Sequence, residues 1–245
     1  MNITPEIIKI KSTASTNSEL KRISLEQSLH SFCTLITEEQ TSGRGQAGNS
    51  WESEPSKNLT FSTIIFPENL PVRENFIISQ IFSLALKESL EIYTEYISIK
   101  WPNDIYYRDK KISGMLIENE IMNNNISSSI IGIGLNVNQE HFISNAPNPI
   151  SLKQITGREY DTEELLELIL KIAKEKHQQL LSGNAETIRS EYLNALYRNH
   201  GYHAYRDKDG YFQACIKGIK DDGTLLVETK SGEIKHYLFK EIQFL

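Results

Sequence analysis

Several common structural devices are missing from this chain of 245 residues, which has two cysteines and a small acidic excess. Cys33 and Cys215 stand far apart and form no CxxC pair, so neither a disulfide framework nor a zinc site is indicated. Buried or bystander thiols in a reducing compartment are expected instead. No apolar stretch reaches the roughly 18 residues that a membrane span needs. The opening Met1-Asn2-Ile3-Thr4-Pro5-Glu6 lacks the basic start and apolar core of a signal peptide. A soluble, cytoplasmic protein is the expectation, with no membrane partner. Positive excess is absent too: 26 Lys and Arg against 32 Asp and Glu give −6. That argues against a surface that embraces DNA, though not against a locally basic pocket. A GxxxxGKS/T phosphate loop and a GxSxG nucleophile elbow are both lacking. Gly132-Ile133-Gly134 begins like a dinucleotide fingerprint, but Val137 holds the third glycine position and no helix is expected to follow. The six histidines are dispersed, which disfavours catalytic zinc. The chemistry is therefore expected to run without a covalent side-chain intermediate.

What is present is ordinary globular composition, 39% apolar and 24% charged, in a chain long enough for one large domain or a large and a small one. Strands are expected at Ile7 to Lys11, Phe32 to Glu38, Leu59 to Phe66, Ile97 to Trp101, Lys111 to Met122 and Ser128 to Val137. Helical spacing marks Glu74 to Tyr93, Glu163 to Leu181 and Glu186 to Tyr197. Thr16 followed by Glu19 has the form of a capping box opening a helix to about Leu29. Asn123-Asn124-Asn125 suits a hairpin turn, since asparagine tolerates positive φ. After His200, turns at Asp207–Gly210, Asp221–Gly223 and Ser231-Gly232 are closely spaced, as in a small barrel. The fold class is α+β, a mixed or antiparallel sheet with flanking helices, divided as 1–197 and 198–245.

Four polar stretches stand where strands end. Gly43-Arg44-Gly45-Gln46-Ala47-Gly48-Asn49-Ser50-Trp51 leaves the backbone bare enough for its N–H groups to approach an anion, though a solvated surface loop has the same composition. Lys100-Trp101-Pro102-Asn103-Asp104 ends a β-run at a proline, and its lysine and tryptophan exceed what a turn requires. Lys111-Ile112-Ser113-Gly114 places a glycine inside a strand, a mark of close approach by a ligand or another backbone. Strict alternation would put Lys111 and Ser113 on one face and Ile112 and Gly114 on the other. The last stretch, Gly132-Ile133-Gly134-Leu135-Asn136-Val137-Asn138, again sets glycines in a strand before asparagines.

Each stretch alone is a weak signal, but their joint occurrence and order resemble the biotin protein ligases, also called biotin–[acetyl-CoA-carboxylase] ligases. That family has a GRGRxGRxW-type loop, a KWPND segment, a KxxG strand and a GxGxN strand in this order. It also begins with a Ser-Thr-Asn stretch, matched by Ser15-Thr16-Asn17. The resemblance implies a class II synthetase-like ligase domain followed by a small SH3-like barrel. Two departures stand out: Gln46 and Asn49 replace the loop's second and third arginines, leaving its positive charge to Arg44. In addition, a first strand near Ile7 leaves no room for the DNA-binding domain that some members carry, so a monofunctional ligase is expected.

The resemblance also implies a reaction: biotin is activated by ATP to biotinyl-5′-AMP and passed to a lysine of a biotin carboxyl carrier protein. Such chemistry asks for positioning and charge stabilisation rather than a nucleophile. Carried over residue by residue, Ser15, Thr16, Asn17 and Gln40 meet biotin, whose buried urea needs paired donors and acceptors. Gly43, Arg44, Gly45 and Gln46 belong to the loop over carboxylate and phosphate. Lys111 neutralises charge at the reacting groups, and Gly114 and Gly132 let biotin approach the backbone. Asn103 and Asn136 fall to the nucleotide, and Trp51 either covers the adenylate or packs in the core. Asp104 either helps hold Mg²⁺ or caps a turn. A lipoate ligase is the nearest rival, but its RRxxGG loop and histidine–aspartate pair are missing. A non-catalytic binding module is the other alternative, and pyrophosphate release separates the two. A homodimer is compatible with the sequence.

Overall fold

The computed structural model describes residues 7–143 and 148–245, apart from the side chain of Ala47. Its elements in chain order are β1 (Ile7–Thr13), α1 (Thr16–Glu26), β2 (Cys33–Gln40), β3 (Leu59–Ile65), α2 (Phe76–Glu91), β4 (Ile97–Lys100), β5 (Asp104–Tyr107), β6 (Lys110–Met122) and β7 (Asn125–Leu135). Then come α3 (Leu152–Thr156), α4 (Thr162–Leu181), α5 (Ala185–Asn194), β8 (His203–Asp207), β9 (Gly210–Ile219), β10 (Leu225–Thr229), β11 (Ile234–Tyr237) and β12 (Gln243–Phe244).

Seven strands form one sheet in the order β1-β2-β3-β7-β6-β5-β4. β1 and β2 run parallel, joined across α1, and every other neighbour is antiparallel, so the sheet is mixed as expected. Alternation along the central strands sorts its two faces. Ile131, Ile133 and Leu135 of β7 join Leu59, Phe61 and Ile65 of β3 in the large core under α2. Ile130 and Ile64 point the other way, into a small core with Leu20 and Ile23 of α1. Ser62, Gly132 and Gly134 share that second face by the period of two. α1 is short and covers only part of it, so these small residues floor an open cleft.

α2 is buried nearly all round, from Phe76 through Leu86, which places it between the sheet and α4 and α5. The second sheet, order β11-β10-β9-β8-β12, is antiparallel throughout, and its turns include Gly210, Gly223 and Gly232 at positive φ. The sequence signals for those turns were sound. One apolar core runs through both sheets, from Phe61 and Phe82 to Tyr205 and Leu225. Trp101 Nε1 donates to the Gly223 carbonyl at 2.9 Å, and Phe239 stands edge-on to the same indole at 6.4 Å.

Several local expectations need correction. Ser15, not Thr16, is the N-cap of α1 and makes no side-chain cap bond, while the Thr16 hydroxyl donates to Gln40 instead of capping. α1 stops at Glu26. A real capping box lies instead at Ser151 and Gln154, opening α3. Asp104–Tyr107 forms a strand rather than an extended turn. Asn123 and Asn124 do turn with φ of 51° and 64°, but Asn125 already belongs to β7.

Candidate functional site

The cleft gathers Ser15, Thr16, Asn17, Gln40, Arg44, Gly45, Gln46, Trp51, Asn103, Asp104, Lys111, Gly114 and Gly132. Its closed end is a hydrogen-bond network of hydroxyls and amides, anchored on Glu118 and drawn from four elements. Thr16 donates from its backbone N (2.9 Å) and its hydroxyl (3.2 Å) to Gln40 Oε1. Ser62 Oγ lies 2.7 Å from Thr16 Oγ1 and 2.6 Å from Asn17 Oδ1, and its single proton can serve only one at a time. Asn17 Nδ2 donates to the Leu116 carbonyl at 3.2 Å and to Glu118 Oε2 at 2.7 Å. Those two acceptors fix which way the amide faces. Thr16, Asn17 and Ser62 are buried, so the network is rigid and largely dry.

Lys111 and Asp104 occupy the middle of the cleft, with Nζ 2.7 Å from Oδ1. A Cβ on Gly114 would meet Lys111 Cε and Nζ at 3.0 Å and Asp104 Oδ1 at 3.2 Å. Lys111 and Gly114 therefore share a face, contrary to strict alternation. The cause is a bulge: Ile105 pairs with Ser113 while the next residue, Tyr106, pairs with Lys111. The extra residue on β6 re-aims the lysine toward the glycine. A spacing of three between lysine and glycine is thus what a bulged strand needs to bring them together.

The glycine-rich segment folds back on itself. Arg44 and Ser50 form an isolated antiparallel bridge, and Trp51 N donates to the Gly43 carbonyl at 2.9 Å. A Cβ on Gly43 would stand 2.5 Å from the Trp51 carbonyl oxygen, so the return path requires glycine there. Gln46–Gly48 is a single 3₁₀ turn. Arg44 is directed across the mouth of the cleft, where Nη2 donates to Ser18 Oγ at 3.0 Å and lies 3.5 Å from Glu118 Oε2. The Trp51 ring lies on Gly134, where a Cβ would come within 2.2 Å of it, and Lys111 Nζ is 5.7 Å from the ring centroid. Trp51 Nε1 is buried with no hydrogen-bond partner among the described residues, a donor that a ligand acceptor would satisfy.

Asn103 Nδ2 donates to the Met115 carbonyl at 2.9 Å, which holds the turn before β5 against β6. Asn136 is not on the cleft wall. Its backbone N donates to the Ile112 carbonyl at 2.9 Å and its Nδ2 to the Ile150 carbonyl at 3.1 Å, leaving a buried Oδ1 without a partner among the described residues. Sequence reasoning missed Ser62, which nothing in the sequence separates from its hydroxyl neighbours Thr60 and Thr63 in β3. It also missed Phe239, which reaches the cleft from the second sheet. Glu118, on the same strand as Lys111, is the shared acceptor for Asn17 and Arg44. Among the described residues no group of three or more His, Cys, Asp or Glu is placed to hold a metal ion. No helix among them is long and apolar enough to cross a membrane.

Residues 9–136, just over half of the chain, match the model of the Biotin/lipoate A/B protein ligase family, and the chain belongs to that family. Among curated relatives, it is 29% identical over 215 residues to the "Bifunctional ligase/repressor BirA" of Bacillus subtilis, covering 83% of this chain and 63% of that protein. It is 26% identical over 233 residues to the "Biotin--[acetyl-CoA-carboxylase] ligase" of Paracoccus denitrificans, covering 90% and 93%. Among solved structures, the biotin protein ligase of Aquifex aeolicus in complex with biotin and ATP superposes with a TM-score of 0.78 at 27% identity, covering 99% of both chains. The mixed sheet with flanking helices, and the antiparallel second sheet, agree with that architecture.

Proposed function

We propose that this protein is an ATP-dependent ligase that activates biotin as biotinyl-5′-AMP and transfers it to a lysine of a biotin carboxyl carrier protein. Lys111 carries the reading: it stands over Gly114 between a closed end of hydrogen-bonding hydroxyls and amides and a glycine-rich loop. The closed end suits a urea, with Ser15, Thr16, Asn17 and Gln40 as its partners. A carboxylate and a phosphate meeting at Lys111 repel each other, and the ammonium offsets that repulsion as they join. A carboxylate oxygen of biotin bonds to the α-phosphorus of ATP, the bond to the β-phosphate oxygen breaks, and pyrophosphate leaves with the electron pair. An acceptor amine then bonds to the carbonyl carbon, AMP leaves with the C–O electron pair, and the amine loses its proton to solvent.

Asn103, Asp104 and Trp51 belong to the nucleotide side of the cleft. Gly43, Arg44, Gly45 and Gln46 close over the adenylate and keep water from it. Asn136 acts from behind the wall, by holding β6 to the segment at Ile150. The single carboxylate at Asp104 suits Mg²⁺ only in the mode where substrate phosphates and water supply most ligands. Bound so, the ion would neutralise phosphate charge. Residues 1–197 form the ligase domain and 198–245 an SH3-like unit. Biotin rather than lipoate is favoured by the Paracoccus and Aquifex relatives.

The deciding measurement is transfer of labelled biotin to a purified biotin-carrier domain, with pyrophosphate release followed in parallel. Both should require ATP and biotin together. Binding of biotin without pyrophosphate release would leave a binding module instead.

A further inference from the structure

Lys100 opens the segment that ends at Asp104, and no role above uses it. Across the β4–β5 hairpin it pairs directly with Asp104. Residues opposed across antiparallel strands stand on one face, as do residues two apart along a strand. Lys100, Asp104 and Tyr106 therefore share a face, and Lys111, paired with Tyr106, joins them. Asp104 is thus flanked by two lysines. Lys111 bonds it at 2.7 Å. Lys100 has no ion-pair partner among the described residues: its ammonium donates to the Tyr106 hydroxyl at 3.0 Å and stands 4.8 Å and 5.5 Å from the Tyr106 and Phe244 ring centroids. One carboxylate between two ammonium groups leaves an uncompensated positive charge. Burial holds the Lys100 pKa below the usual lysine value, against the pull of Asp104. Its surroundings are short of negative charge.

A groove of about 480 Å³ opens onto Lys100 between the two sheets. Asp104 and Phe239 line both this groove and the cleft, so the two hollows adjoin. Arg198 stands on the groove's other wall. Its guanidinium donates to the Ala204 carbonyl (3.4 Å) and to the Leu245 main-chain oxygen and lies 5.0 Å from the Tyr197 ring centroid, and among the described residues no side-chain carboxylate pairs with it. The nearby Asp109 accepts a hydrogen bond from the Tyr197 hydroxyl. Two cations that make no side-chain ion pair among the described residues thus face a groove that begins where Lys111 ends.

Resting on the ligase reading, we propose that Lys100 and Arg198 form an anion subsite for the diphosphate of the nucleotide. It holds the β- and γ-phosphates before reaction and free pyrophosphate after. When the α-phosphorus bond to the β-phosphate oxygen breaks, negative charge grows on that departing group. Cations placed beyond Lys111, and not at it, meet the charge where it develops. The arrangement also answers the thin charge of the glycine-rich loop, where Gln46 and Asn49 bring none.

Biotin-dependent ATP–pyrophosphate exchange, with the pyrophosphate concentration varied, tests the subsite. Lys100→Gln should raise the KM for pyrophosphate by about tenfold or more, the weight of one charged hydrogen bond. Lys100→Arg should recover most of that loss, Arg198→Gln should show a smaller rise, and the Kd for biotin alone should not change. A folded Lys100→Gln protein with an unaltered pyrophosphate KM would overturn the subsite. So would a parallel loss of biotin affinity, which marks a structural role. Should the wild-type protein catalyse no exchange, the ligase reading itself fails. Calorimetric titration with sodium pyrophosphate then judges the subsite alone: binding lost in both Gln variants upholds it, and binding retained refutes it.

Discussion

Asn17 occupies the space that a side chain on Gly132 would need: a Cβ there would stand 2.2 Å from Asn17 Oδ1. The close approach expected of Gly132 is made by a side chain of the closed end, which in turn is set by Ser62 and Glu118. The glycine keeps the network in place, and the network shapes the ligand site.

Gly132→Ala should therefore push Asn17 out of register and break its bonds to Ser62 and Glu118. Loss of about 1–3 kcal/mol in biotin binding is expected, with a stability loss of similar size from overpacking. Calorimetric titration with biotin and a thermal melt measure the two separately. Unchanged biotin affinity would remove Asn17 from the site.

Lys111→Ala should leave the fold intact, since Lys111 is partly exposed and anchors no core. Adenylate formation should fall by a factor on the order of 10²–10³, as when one well-placed charged donor is removed. Pyrophosphate release and far-ultraviolet circular dichroism check rate and fold. A variant releasing pyrophosphate at the wild-type rate would end the assignment.

The Arg44 side chain is exposed and, among the described residues, is held by Ser18 and a long contact to Glu118. Trypsin should cut after Arg44 quickly in the free protein and slowly with biotin and ATP, as the loop closes over the adenylate. In the Arg44→Ala protein, more biotinyl-AMP should escape to solvent, read by chromatography of the filtrate. Equal cleavage with and without both ligands makes the segment a surface loop.

Much of this could be read from residue types. Gly43, Gly132 and Gly134 mark positions where a neighbour comes too close for any Cβ, and Gly114 one where Lys111 would have to give way, so glycine placement alone outlines the cleft. The mixed sheet followed from hairpin-linked strands with one helical crossover. What escaped reading depends on pairing between distant segments. The bulge that turns Lys111 onto Gly114 is set by register with β5, a strand of four residues too short to announce itself. Ser62 is polar for a reason that lies on α1, and Phe239 is exposed because it faces another sheet. Thr16 carries the local mark of a cap, but Gln40, 24 positions away, claims it.

His177 gives the stability a pH dependence. It is packed edge-on against Phe32 at 5.4 Å, and burial lowers its pKa below 6.5 despite the attraction of Glu68. The unfolded chain then binds the proton at a higher pH than the folded one. Stability should be full above about pH 6.5 and fall as pH drops through that value toward the folded pKa. Melting temperatures between pH 8 and pH 5.5 should show this decline, and His177→Gln should flatten it. An identical slope in the variant would assign the decline to other groups.

The hydrogen bond from Trp101 to the Gly223 carbonyl crosses between the sheets, at a glycine where a Cβ would stand 2.6 Å from Phe76 Cδ2. Parting the sheets would strand a buried N–H and wet the apolar faces on either side, at a cost far beyond thermal energy. The two sheets should consequently unfold as a single cooperative unit, in one calorimetric transition. Damage to a strand near Leu245 is felt at Lys111 as loss of the whole fold, while thermal motion that spares that seam leaves the cleft's geometry untouched.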